Sequence, residues 1–281
     1  MTTAAPPALD AERAGAFLST VPEHTSATHF FGGVHQMLVG MVRPNDLLVE
    51  AFRTGGGVPL SAYAEDTWAG MERFTAGWFD HLRLPVWIPS MPRVEAALAR
   101  GAEVADVGCG RGRALIRLAQ ASPRSRFVGF DAFAPSVEHA RALAAEAGVA
   151  NRVRFEVHGG GGGLPGRYDV VTTFDVVHDA VDPRGLLRAI RRAVREDGTY
   201  VCLNINCSHR LEENAGPLGA LFYGFSILCC MTTSLAGAGA GLGTCGFSAA
   251  VVRDLCAEAG FSSVRLVPLE NPFNDLYEVT P

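Results

Sequence analysis

Lysine is missing from this chain: all 24 basic residues are arginine. That absence excludes mechanisms built on an ε-amine, including Schiff-base catalysis, a pyridoxal phosphate anchor and the phosphate-gripping lysine of a P-loop. A basic excess is missing too, because 29 acidic residues leave a formal charge of −5. Nucleic acid is therefore not expected as a main partner. The 7 cysteines include no Cys-x-x-Cys pair, so no zinc or iron–sulfur site is expected and no metal is assigned. Their odd number suits reduced thiols and a cytoplasmic location. No basic start followed by a long apolar core marks the N-terminus. The longest apolar run, Leu218 to Met231, is interrupted by Gly219, Tyr223, Gly224 and Ser226, and it is expected to be too short and broken to enter a membrane.

What is present describes a globular chain. Its 281 residues, 48% hydrophobic and punctuated by 32 Gly and 16 Pro, suffice for one α/β domain and a smaller appendage. Residues 1–20 are small, polar and proline-bearing, and are expected to be frayed. From Ser26 to Arg53 the apolar residues recur at three- and four-residue spacing, which predicts helices broken near Pro44. Gly55 to Pro59 reads as a loop. Helical stretches rich in aromatic residues follow (Trp68, Phe74, Trp78, Phe79), up to a connection from Pro85 to Pro92. Residues 1–90 thus read as a helical cap, and residues 91–281 as a second domain.

In that second part strand and helix alternate. Strands are predicted at 103–107, 126–130, 153–157, 169–174, 200–205, 261–267 and 276–279, with helices at 92–100, 113–120, 135–147, 183–195 and 251–259. Such alternation implies a Rossmann-like, doubly wound, mostly parallel seven-stranded α/β sheet with right-handed crossovers. Residues 206–246 interrupt it with an apolar helical stretch and a Gly/Ala-rich loop. In a doubly wound domain such an insertion lies over the carboxyl ends of the strands.

The most informative segment is Val104-Ala-Asp-Val-Gly108-Cys-Gly110-Arg-Gly112, a strand that ends in an acid and runs into a glycine turn. Glycines there let a ligand approach the backbone, and the following helix offers free N–H groups. A dinucleotide fingerprint would place its third glycine one residue later. Asp106 would repel a pyrophosphate and suits a ligand bearing an ammonium group. Asp131, 19 positions past Gly112, closes the second strand where an acid can accept both ribose hydroxyls.

With Gly108-x-Gly110-x-Gly112 behind Asp106, the runs Phe127-Val-Gly-Phe-Asp131, Tyr168 to Pro183, Glu196-Asp-Gly-Thr-Tyr200 and Leu255-Cys-Ala-Glu-Ala-Gly-Phe261 resemble, in order, the motifs of the class I S-adenosylmethionine-dependent methyltransferases. The resemblance covers about residues 92–281. Phe52-Arg-Thr-Gly-Gly-Gly-Val-Pro and Cys230-Met-Thr-Thr-Ser-Leu-Ala are further similar to an actinobacterial subgroup whose members often carry a winged-helix domain in front. This sequence is expected to start after such a domain, which tells against DNA binding or a winged-helix-mediated dimer; a homodimer is otherwise left open.

The resemblance implies S-adenosyl-L-methionine as cofactor. It assigns Asp106, Gly108 and Gly110 to the methionine end and ribose, and Asp131 to the ribose hydroxyls. Ala132 and Phe133 would flank the adenine, and Phe174 and Asp175 would line the methionyl side. In place of the acid that commonly reads the adenine amino group, His158 precedes Gly159 to Gly163, so adenine recognition falls to backbone groups or to His158. His178, followed by Asp179, occupies the general-base position of many small-molecule O-methyltransferases, though a histidine there also packs beside the cofactor without acting as a base. Phe222, Tyr223 and Met231 are expected to line the acceptor site, and Tyr63 either to join them, closing over the cofactor or bonding substrate, or to pack as a core or lid tyrosine. The implied reaction is methyl transfer to a small, partly hydrophobic metabolite, with the acceptor atom open. The alternatives are non-methyl chemistry such as cyclisation on the same bound sulfonium, or a non-catalytic ligand-binding regulator.

Overall fold

The computed structural model describes residues 31–159, 162–269 and 271–281, with Ala14 alone before them. The expected frayed segment, apart from Ala14, the start of the first predicted helix and two of the five glycines after His158 lie outside the described residues.

Seven runs rich in β-branched and aromatic residues become β1 (Glu103–Val107), β2 (Arg126–Asp131), β3 (Val153–Val157), β4 (Tyr168–Phe174), β5 (Val194–Ile205), β6 (Ser263–Val267) and β7 (Asn274–Thr280). They form one sheet in the order β3-β2-β1-β4-β5-β7-β6, in which β7 alone runs antiparallel to its neighbours. Strand order reverses between β1 and β4, so a crevice opens at the carboxyl ends of these two strands. Successive side chains leave a strand on opposite faces. Val104 accordingly enters one buried core with Phe127 and Val170, and Ala105 the other with Val128 and Val171.

The crossover helices follow from one-sided apolar patterns. They are α5 (Arg113–Ala121), α6 (Ala134–Glu146), α7 (Pro183–Ala193) and α10 (Ala249–Glu258), preceded by α4 (Pro92–Arg100). Asp182 caps α7 by accepting from the Gly185 N–H at 2.8 Å, and Pro183 fits its first turn. That helix ends at Ala193, two residues before its predicted end, because Val194 already pairs with Tyr168. Strand β5 therefore begins six residues earlier than the pattern around Tyr200 suggests.

An N-terminal helical cap precedes the sheet: α1 (Phe31–Val42), α2 (Asn45–Thr54) and α3 (Glu65–Trp78). A connection was expected from Pro85. Instead a π-helical segment, Phe79–Trp87, prolongs α3 through that proline. Proline lacks the N–H that an α-turn would use, and the wider turn tolerates the gap; the Ile88 N–H reaches the Arg83 carbonyl, five residues back, at 2.9 Å. The apolar run in the insertion is likewise unbroken. Helix α8 (Pro217–Phe225), a π segment (Ser226–Cys230) and α9 (Met231–Ala236) form one continuous helix. Its 20 residues are long and apolar enough to cross a membrane by length and composition, contrary to the expectation, but 44% of its most apolar stretch is buried in the protein. Phe222, Phe225 and Cys229 belong to the main core.

Cap and sheet meet through aromatic rings. Phe273, just before β7, stacks on Trp78 at 6.1 Å and meets Phe74 and Phe222 edge-on at 6.0 and 6.3 Å. Arginines of the glycine turn and α5 add a charged seam. Arg113 and Arg117 each reach Asp80 of the π segment at 2.8 Å, and Arg111 pairs with Glu65 and Glu72 of α3.

Candidate functional site

The glycine turn is held in shape by backbone bonds. The N–H groups of Gly108 and Cys109 both donate to the Phe130 carbonyl, at 2.7 and 3.0 Å, folding the end of β1 against β2. Gly112 has φ +79, and a Cβ on it would lie 2.6 Å from Phe155 and 2.8 Å from Ala140. It thus does the close helix packing that a dinucleotide fold assigns to its third glycine. Gly110, at φ +51, would point a Cβ into open space. Gly110 also lines a cavity, together with Asp106 and the rest of the turn from Gly108 to Gly112.

Asp106 is 2% exposed and accepts a 2.7 Å hydrogen bond from the Thr172 hydroxyl of β4. Burial raises its carboxyl to about 7, against the pull of Thr172 and the Arg83 guanidinium. Arg83 is itself buried, bonded to the Ala114 carbonyl and placed against the rings of Phe79 and Phe174 at 5.2 and 5.8 Å. Burial lowers it to about 10, still a cation at neutral pH. No sequence pattern pointed to Arg83; an arginine inside the apolar run Leu82 to Trp87 was the available sign.

Asp131 closes β2 as expected. Its two carboxylate oxygens accept from the Gly110 and Phe133 N–H groups, each at 2.8 Å. Each oxygen keeps a further lone pair, so ribose hydroxyls can still be accepted. Phe133 packs against Trp68 of α3 at 5.2 Å between ring centroids, and Ala132 is exposed beside Gly159. His158 sets its ring edge-on to Phe130 at 5.6 Å, and its backbone N–H donates to the Asp131 carbonyl at 2.8 Å. These three residues and Asp131 gather at the end of β2, beside the cavity rather than on its lining.

Phe174, Asp175, His178 and Phe222 do line the cavity. Asp175 adopts φ +56, a left-handed conformation that costs a non-glycine residue about 1–2 kcal/mol. Asn274 of β7 holds it there by donating to both its oxygens at 2.8 and 2.9 Å. Burial raises Asp175 to about 6, with His178 pulling the other way.

His178 is 2% exposed. Its Nδ1 lies 2.7 Å from Asn204 Oδ1, and the Asn204 amide is oriented by donating to the Phe247 carbonyl at 2.9 Å. An amide oxygen only accepts, so Nδ1 carries the hydrogen and the neutral ring keeps its lone pair on Nε2. Nε2 is 3.1 Å from Asp179 Oδ1. Burial opposes charge on the imidazole, but Asp179 and Asp175 outweigh it and raise its pKa above the ordinary value. Asn204, 26 residues downstream on β5, was invisible to motif reading.

The cavity does not include three expected acceptor residues. Tyr63 is buried, donates to the Leu228 carbonyl at 2.7 Å and meets Trp68 edge-on, so it ties the cap to the insertion. Tyr223 accepts from Asn214 at 3.1 Å, and Met231 sits beside the loop at Gly243. The apolar wall of the cavity comes instead from Met37, Met41, Trp68, Met71, Phe74, Trp78 and Phe79 of the cap, with Phe225 and Phe273. Their helical spacing gave no sign of which face turns inward.

An acid-flanked glycine turn, a ribose-competent acid at the end of β2 and a histidine rim thus meet at the carboxyl ends of β1, β2 and β4. Residues 105–200 match the family model described as a methyltransferase domain. Among curated proteins, the ubiquinone biosynthesis O-methyltransferase of Pectobacterium carotovorum subsp. carotovorum is 34% identical over 107 residues, 38% of this chain and 44% of that protein. That of Pseudomonas aeruginosa (strain UCBPP-PA14) is 31% identical over 113 residues, 40% of this chain and 48% of that protein. The chain thus matches less than half the length of these relatives. Among solved structures, mitomycin 7-O-methyltransferase aligns over 94% of this chain and 74% of its own, with TM-score 0.64 and 18% identity. An O-methyltransferase from neocarzinostatin biosynthesis, solved with S-adenosyl-L-homocysteine and 1,4-dihydroxy-2-naphthoic acid, aligns over 88% and 70% with TM-score 0.57 and 22% identity. At such identity the structural likeness establishes the shared fold.

Proposed function

We propose that this chain transfers a methyl group from S-adenosylmethionine to a hydroxyl of a small, partly hydrophobic metabolite. The observation that carries this reading is one cavity joining the glycine turn to His178 beneath an aromatic and methionine-rich wall. The cofactor supplies an electrophilic methyl group on a sulfonium. The residues present fit it: Gly110 leaves open the space a side chain would fill, and Asp106 presents a buried carboxylate toward an ammonium. Asp131 would hold the ribose, with Ala132, Phe133 and His158 about the adenine; Gly108, Phe174 and Asp175 would border the methionyl part.

His178 Nε2 takes the proton of the acceptor hydroxyl. Asn204 fixes the tautomer that makes this possible, and Asp179 stabilises the imidazolium that results. The remaining contribution is alignment in a dry chamber, worth up to roughly 7–11 kcal/mol in favourable cases. We assign residues 1–90 to a lid and residues 91–281 to the catalytic domain, with the insertion 206–246 closing the chamber through Phe222. An acceptor hydroxyl agrees with the O-methyltransferase names of the curated relatives, and the cyclisation and regulator readings have no comparable support.

Calorimetry with S-adenosylmethionine, followed by detection of S-adenosylhomocysteine with a panel of phenolic acceptors, tests the proposal. Absence of binding at millimolar cofactor would overturn it.

A further inference from the structure

We infer that His178, Asp179 and Cys230 form a binding site for a zinc-class divalent cation. Their ligand atoms, one imidazole nitrogen, one carboxylate oxygen and one sulfur, all lie within 4.8 Å of one another. Around a tetrahedral ion, ligands held at about 2.0–2.3 Å sit roughly 3.3–3.6 Å apart. The His178 Nε2 to Asp179 Oδ1 distance of 3.1 Å is already close to that spacing. Yet Asp179 Oδ1 is a buried atom that makes no hydrogen bond, so the two groups converge without satisfying each other. A proton or a metal ion between them resolves the meeting of a lone pair and a carboxylate.

The surroundings suit a metal. Asn204 holds the His178 Nδ1–H, the arrangement that ligating histidines use to orient the ring and present Nε2. Cys230 ends the π segment of the insertion helix, and such wide turns recur at functional positions. All three residues line the cavity, which leaves a fourth position for a small ligand. A nitrogen, oxygen and sulfur donor set favours zinc over magnesium or calcium, which prefer oxygen alone. A bound ion occupies the Nε2 lone pair, so metal binding and the base role of His178 exclude one another, and the methyltransferase reading concerns the metal-free chain.

The test is cobalt(II) titration of the chelator-treated full chain, followed by displacement with zinc. One equivalent should give a thiolate-to-cobalt charge-transfer band with intense tetrahedral d–d absorption, and zinc should abolish both. Cys230→Ser should lose the charge-transfer band, and Cys229→Ser, altering the adjacent thiol, should retain it. Asn204→Ala should weaken binding roughly 10–100-fold, as loss of a ligand-orienting partner does. Circular dichroism and melting curves confirm that each variant folds. A folded wild-type chain that binds no cobalt, or a charge-transfer band that survives in Cys230→Ser, overturns the inference. Calorimetry with S-adenosylmethionine on the same preparation reports on the methyltransferase reading separately.

Discussion

The Nδ1 of His178 and the amide oxygen of Asn204 lie 2.7 Å apart, with both residues buried. The amide cannot donate through that oxygen, so it selects one tautomer and leaves Nε2 free to act as a base. If His178 is the base, His178→Ala should lower kcat by roughly 10²–10⁴-fold while the Kd for S-adenosylmethionine stays unchanged. Equal losses in both would show a packing role instead.

The pH profile follows from the same group. Only the neutral ring can take a proton, and its pKa in the folded chain is raised by Asp179 and Asp175. Turnover should therefore climb as pH rises through a midpoint above the ordinary histidine value of about 6.5, and vanish below it. Asp179→Asn removes the leading favourable charge and should move that midpoint down. A midpoint indifferent to this substitution would sever His178 from the profile.

Cofactor affinity should have its own pH dependence. Asp106, raised to about 7 by burial, must be ionised to meet an ammonium, so binding should weaken as pH falls below that value. Asp106→Asn should bind at least about tenfold more weakly, the 1.4 kcal/mol expected for losing one charge-assisted contact. Its affinity should also no longer follow pH across this range. Isothermal titration at several pH values measures both.

The two turn glycines should fail differently. Gly112→Ala would press a methyl into Phe155 and Ala140 at φ +79, so a loss of about 2–4 kcal/mol is expected in urea unfolding. Gly110→Ala meets no neighbour and should cost only the roughly 1–2 kcal/mol of a left-handed alanine. Its larger effect should be on S-adenosylmethionine binding, because the new methyl enters the cradle.

Phe273→Ala should destabilise the chain by about 3–5 kcal/mol, since that ring joins Trp78, Phe74 and Phe222 across the junction of cap and sheet. Hydrogen exchange should rise in α1 and α3 before it rises in β1 and β4. Uniform loss of protection would argue against a separable cap.

Much of this was legible in the chain. The β-branched run at Val170 and Val171, the glycine turn and Asp131 specify their local structures through nearest neighbours, so strand, turn and acid fall where the pattern puts them. Pro85 and the glycines of the insertion misled for the same reason in reverse: they usually break helices, but Pro85 is carried within a π segment, and Gly219 and Gly224 lie inside α8, ahead of the π turn at Ser226–Cys230. Tyr63 was open to a ligand-facing or a packing role, and no local pattern could show that its hydroxyl donates to the Leu228 carbonyl 165 residues away.

The sequence by itself determined the alternating sheet, the acid-flanked glycine turn and the absence of lysine chemistry, because each rests on residues close along the chain. Only the tertiary structure decided what surrounds His178. Asn204 on β5, Asn274 on β7 and Cys230 in the insertion are brought to one rim by strand order and a continuous helix, and no local pattern encodes that convergence.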